Sequence, residues 1–215
     1  MRRAGSSPVT GRPSGAKQQI RGRDHNKGGQ VDKLQFNFIA TTHRGLEREA
    51  VGEVLALLKQ IGDASPHVRT TDISGLIVGE TLLDPLAVSR KLTQMVDDDP
   101  WSLRVLLRFI PVEKVMPAKL DELRSAAKEM AARIGPKESF RVTVEKRHTS
   151  LSSEEVVRAV ASAVERKVNL ERPDWLVLVE IIQSDAGLSV LRPVDIFSAV
   201  KVKRGESGLS RAAEG

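Results

Sequence analysis

The sequence predicts an α/β chain of the α+β kind, made of two consecutive units of mixed strands and helices. Two observations predict it. Apolar residues recur with period two and period 3.6 in alternating segments over residues 34–198. Both ends, residues 1–30 and the stretch from about residue 205, carry no such pattern.

The first unit covers residues 31–112. Residues 34–40 alternate as a strand with Leu34, Phe36 and Phe38 on one face. Leu46, Ala50, Val54, Leu57, Leu58 and Ile61 recur at helical spacing, and Gly62 stops the helix. Residues 68–70 and 75–79 read as short strands joined near Asp72, Ile73 and Ser74. Asp84 and Pro85 supply an N-cap and a first-turn proline to a helix with Leu86, Val88, Leu92 and Met95 inward. Residues 101–111 close the unit as a strand through Leu103, Val105, Leu107 and Phe109. The order β-α-β-β-α-β is that of a split-βαβ, ferredoxin-like domain.

The second unit covers residues 113–204. Pro117 opens a helix with Leu120, Leu123, Ala127, Met130 and Ile134 in one stripe, stopped by Gly135 and Pro136. Phe140, Val142 and Val144 alternate as a strand leading into Glu145-Lys146-Arg147-His148. Ser152 and Glu155 form a capping box, and Leu151 with Val156 fits a hydrophobic staple. That helix is expected to bury Val156, Val160, Ala163, Val164 and Val168. Residues 175–182 are a nearly unbroken apolar run, as in a strand covered on both faces. Residues 184–187 turn the chain, and 188–191 return as a strand, giving α-β-α-β-β.

The net charge of +6 invites a nucleic-acid reading, but its location weakens that reading. Residues 1–30 hold seven basic side chains and one acidic, leaving 27 of each sign in the rest. Six Gly, three Ser and two Pro in this stretch predict a disordered basic tail, and residues 205–215 a second one. Without Cys there is no disulfide, thiolate metal site or thiol nucleophile. No apolar run is long enough to span a bilayer and no signal peptide is visible, so a cytoplasmic location without membrane contact is expected. Five Phe, two Trp and no Tyr argue against a broad base-stacking surface.

Common catalytic templates are missing: no GxGxxG after a strand, no GxxxxGK[ST], no HExxH and no GxSxG. No catalytic, metal or cofactor residue is assigned. Asp97, Asp98 and Asp99 point in different directions and read as a solvated helix end. Lys146, Arg147, His148, Thr149 and Ser150 run from a strand end to a helix N-terminus, where free amides and the helix dipole favour an anion. Two readings stay open for them, a phosphate site or a solvated strand end. Arg192, Lys201, Lys203 and Arg204 would extend one basic surface if the strand at 188–191 lay beside that at 140–145. The rival is an ordinary charged tail.

Residues 140–151, with 173–182 and 186–193, resemble the central strand, turn and hairpin of THUMP domains. Asp195-Ile196-Phe197-Ser198 is similar to a small stand-alone subgroup, like the eukaryotic adaptor of the tRNA cytidine acetyltransferase. The resemblance covers roughly residues 34–204, and such proteins carry a ferredoxin-like domain before the THUMP unit. It implies tRNA binding at the acceptor stem and 3′ end, with the chemistry done by a partner acetyltransferase. Lys146, Arg147 and His148 match the family's basic turn, and Arg192 its basic residue before Pro. Lys201, Lys203 and Arg204 rest on charge and position. With no catalytic domain after residue 215, the expectation is an adaptor that is not an enzyme. The rivals are a hydrolase using His148 and a protein-interaction module without RNA affinity.

The tail has its own alternatives. Gly5-Ser6-Ser7-Pro8 can be encoded as GGT-TCG-AGT-CCC, which contains the T-arm sequence of tRNA genes. Residues 1–30 then read either as a mis-called start through a tRNA gene or as a genuine arm adding non-specific RNA affinity.

Overall fold

In the computed structural model, residues 35–205 are described, and the predicted tail at 1–30 lies outside them, as does nearly all of 205–215. The first sheet begins with β1 (Phe38–Thr41), α1 (Glu47–Gln60), β2 (His67–Thr70), β3 (Leu76–Glu80), α2 (Pro85–Asp98) and β4 (Arg108–Pro111). Its strands stand β4-β1-β3-β2 and all pair antiparallel, so each helical crossover straddles one strand. Phe38 and Ala40 face the helices, whereas Phe36 and Ile39 face the second sheet. The alternation predicted from Leu34 therefore breaks at Asn37. Its side-chain amide pairs with the Thr81 backbone in both directions, at 2.8 and 2.9 Å, while its own backbone donates to Gly79 O and accepts the Val112 N–H.

α2 starts as expected, with the Asp84 carboxylate accepting the Leu86 N–H at 3.1 Å. Its buried face is turned, however, taking in Ser89, Thr93 and Val96 while Leu86 and Met95 are only half-buried. The cause is a later segment: the Ser89 hydroxyl accepts the Phe197 N–H at 2.9 Å. The strand expected over 101–111 also shortens to β4. The Glu53 carboxylate of α1 accepts the amides of Arg104, Val105 and Leu106, so this backbone is satisfied without a ladder.

The second sheet contains β5 (Lys114–Pro117), β6 (Ser139–Arg147), β7 (Lys167–Val168), β8 (Trp175–Ile182) and β9 (Asp185–Leu191), with α3 (Leu120–Met130) and α4 (Ser153–Ala161) on one face. The order is β5-β9-β8-β6-β7, with β6 parallel to β8 and β9 antiparallel to β8. β5, an edge strand absent from the sequence reading, pairs with β9. The capping box forms, with Glu155 accepting the Ser152 N–H at 3.3 Å. α4 stops at Ala161, and Val168, expected inside it, is 52% exposed on β7. The β8–β9 turn is Gln183-Ser184, so Gly187 sits within β9 rather than in the turn.

β8 is covered on both faces, as its apolar run requires. Val177, Val179 and Ile181 pack under α3 and α4, while Leu178 and Ile182 meet Phe36, Ile39, Val78, Ile110 and Val112 of the first sheet. Gly187 lies at a close approach, where an added Cβ would stand 2.8 Å from Val112 Cγ1 and 3.3 Å from Phe36 Cε2. Gly187→Val is therefore expected to destabilise by about 2–3 kcal/mol through overpacking. An unchanged urea midpoint would contradict this packing.

The last elements return to the first sheet. β10 (Phe197–Ser198) pairs with β4, and α5 (Ala199–Lys203) packs on α2, although the sequence places them in the second unit. A 2.7 Å ion pair between Arg90 and Asp195 and the Ser89–Phe197 bond hold the returning segment to α2.

Candidate nucleic-acid interface

Along β6 the side chains alternate. Phe140, Val142 and Val144 face the helices, which puts Arg141, Thr143, Glu145 and Arg147 on the side of the first sheet. Arg147 therefore turns inward: its Nη1 lies 2.7 Å from Oε2 of Glu180, and only 21% of its side chain is exposed. Glu180 is 1% exposed, the one ionisable group in the apolar run of β8. Burial pushes its pKa above the ordinary carboxylate value, while Arg147 and the charge of Arg108 on β4 pull it down. Oε1 of Glu180 and the Thr143 hydroxyl, both buried, have no hydrogen-bond partner among the described residues.

After Arg147 the strand ends at His148, whose φ of 53° turns the chain towards α4. Lys146 Nζ donates to Leu151 O at 2.7 Å, and the Thr149 hydroxyl accepts the Leu151 N–H at 3.4 Å. Lys146, His148 and Ser150 are exposed, and Thr149 is half-buried. Glu154 and Glu155 already occupy the first turn of α4. The positive end of its dipole is thus matched internally, and the turn's attraction for an anion rests on Lys146 and His148 rather than on the helix.

Arg192 does not join this turn. Its guanidinium lies 4.0 Å from the Trp175 ring centroid, pairs with Glu138 at 2.7 Å and donates to Asp174 O. Glu138 also accepts the Trp175 indole N–H at 2.8 Å. The amide of Gly135, the Trp175 indole and Arg192 hold the Glu138 carboxyl below its usual value. Arg192 therefore stands at the Trp175 end of β8, about 23 Å along the strand from Ile182, beside which Arg147 lies. β8 separates β9 from β6, so the condition for one continuous basic surface along adjacent strands is not met.

Lys201, Lys203 and Arg204 are exposed on or just after α5. β10, which leads into α5, pairs Ser198 with Arg108, the residue whose charge reaches Glu180. Sequence reasoning missed Arg108, Glu180 and Trp101. A charged residue inside an apolar strand was the available signal for Glu180, because a buried charge needs a partner. Among the described residues no cluster of three or more His, Cys, Asp or Glu could hold a metal ion, and no helix is long and apolar enough to cross a membrane.

Comparison with known proteins places a THUMP domain at residues 117–191. The chain is 28% identical over 173 residues to THUMP domain-containing protein 1 of Homo sapiens, covering 71% of this chain and 49% of that protein. It thus spans about half the length of the curated relatives it matches. The fold is similar to PH1313 from Pyrococcus horikoshii, with a TM-score of 0.57, 17% identity, and coverage of 72% of this chain and 54% of that one. It is also similar to TrmN from Thermus thermophilus, with a TM-score of 0.52, 22% identity, and coverage of 73% and 46%. Both likenesses extend well beyond residues 117–191, so the first sheet shares in the common fold. With the family match falling on β6, α4, β8 and β9, and named relatives similar over a larger span, residues 117–191 of the chain are identified as a THUMP domain.

Proposed function

We propose that this protein binds tRNA through its acceptor region and 3′ end and presents it to a modification enzyme, a cytidine acetyltransferase. The observation that carries the reading is the exposed turn of Lys146, His148 and Ser150 on a THUMP domain whose surroundings are close to charge-neutral. A lysine projecting with an imidazole and a hydroxyl at one turn offers a phosphate backbone a charge and further donors, with affinity that falls as salt rises. The adaptor role and the acetyltransferase partner rest on the resemblance of Asp195-Ile196-Phe197-Ser198 to the stand-alone subgroup, and a cytoplasmic setting goes with them. A hydrolase using His148 gains no support, since among the described residues no hydrogen bond joins His148 to a serine or a carboxylate.

Binding of purified protein to intact tRNA and to tRNA trimmed of its 3′ end tests the reading. Intact tRNA is expected to bind with a steep salt dependence and trimmed tRNA about tenfold more weakly or worse. Equal affinity for both would remove the 3′-end assignment, and no salt-dependent binding would leave a protein-interaction module. Stimulation of cytidine acetylation on intact tRNA, when the protein is added to an acetyltransferase, tests the adaptor role.

A further inference from the structure

Trp101 is 83% exposed, the most exposed large apolar side chain among the described residues. Trp is enriched at binding surfaces because its ring joins a large apolar face to a polar N–H. Its backbone is held firmly. The Asp99 carboxylate accepts the Trp101 N–H at 2.9 Å, the Asp99 carbonyl accepts the Ser102 N–H at 3.0 Å, and the Ser102 hydroxyl donates to Met95 O at 3.2 Å. Leu103 is buried immediately after, and the Glu53 carboxylate holds the next three amides. The ring is thus presented to solvent from a pinned loop. Lys203 Nζ stands 5.5 Å from its centroid, and Lys201 and Arg204 flank Lys203 on or beside α5.

We propose that Trp101 is a stacking platform for an unpaired base of bound RNA, with Lys203 and its neighbours on α5 taking the adjoining phosphates. A flat aromatic face beside exposed cations suits single-stranded nucleic acid, since every base offers a π-face and every linkage a negative charge. Asp97 and Asp98 precede the ring and would suit a basic peptide, but the cation within reach of the ring lies on the α5 side, and Asp99 faces the Trp101 backbone. The position also fits. Lys203 is five residues beyond Ser198, about 7.5 Å along a helix, and Ser198 pairs with Arg108 at the end of β4, on the strand that carries Ile110 and leads to Val112 against β8. The proposal rests on RNA binding as proposed above.

The test uses the full chain carrying Trp175→Phe, which leaves Trp101 as its single indole. Trp101 emission is followed while labelled intact tRNA is added, with the anisotropy of the label read in the same samples. A single-stranded oligoribonucleotide and a blunt RNA duplex of equal length serve as comparison probes. Intact tRNA and the single strand are expected to quench Trp101 strongly and the duplex weakly. Trp101→Ala is expected to lower tRNA affinity about tenfold and Trp101→Phe less than threefold, consistent with the usual weight of one stacked base. Binding by anisotropy without quenching, or with full affinity in Trp101→Ala, overturns the platform and leaves tRNA binding intact. Absence of any anisotropy change overturns both.

Discussion

Arg147→Ala is expected to lower stability by about 3–5 kcal/mol at neutral pH, the usual cost of leaving a buried charge without its partner. The size follows from placement. Glu180 is 1% exposed between the two sheets, its Oε1 already lacks a hydrogen bond, and Arg147 is its direct ion-pair partner. The deficit should also depend on pH. Burial holds the Glu180 carboxyl above its ordinary value of 4.5, so the folded state grips that proton more tightly than the unfolded chain does. Through this group, stability rises as pH falls from above the folded value towards the unfolded one. Removing Arg147 takes away a charge that opposes the upward shift, so the loss is full above the folded pKa and shrinks as pH drops through it. Urea midpoints of wild type and variant across a pH series measure the difference, and a deficit independent of pH would contradict the ion-pair account. Asp174 and Glu138 act in the opposite sense. Hydrogen bonds from Ser139 hold Asp174 below its usual value, so its contribution is present above the unfolded value and lost in acid; Glu138 behaves likewise. The paired comparison cancels them. Arg147→Met with Glu180→Leu should recover most of the loss, because a well-packed apolar pair can replace a buried ion pair.

Lys146→Glu carries a large expected effect on RNA binding. Affinity for intact tRNA should fall about tenfold at low salt, and Lys146→Ala should reduce the slope of log affinity against log salt by about one. Stability should stay within about 0.5 kcal/mol of wild type, since Lys146 is exposed and donates a single surface hydrogen bond to Leu151 O. Unchanged affinity and slope would remove Lys146 from the interface. Reversing Arg147 together with Lys146, the obvious experiment from the sequence, would mix loss of binding with loss of the fold. Two adjacent cations in one motif have different work: one projects into solvent, and the other neutralises a buried carboxylate.

The contrast between these two residues shows how far the sequence reaches. Helix α1, the Asp84 cap of α2, the alternation in β6 and the Ser152–Glu155 box were all legible, because periodicity and capping act over a few residues. The apolar run of β8 also announced a strand covered on both faces, and α3 and α4 on one side and the first sheet on the other supply that cover. The turn at 146–150 was found in the right place, at a strand end leading into a capped helix.

What the sequence by itself determined is therefore most of the long helices and strands, the family resemblance and the position of the basic turn. The tertiary structure decided which residues stand next to one another. β8 separates β9 from β6, which carries Arg192 away from Lys146, and β10 returns to β4, which brings α5 to Trp101. It also drew Arg147 inward to Glu180 and left Trp101 in water. The reason is physical: strand neighbours are selected by burying faces contributed by residues far apart in the chain, and a buried charge is matched by whichever cation that pairing brings within reach.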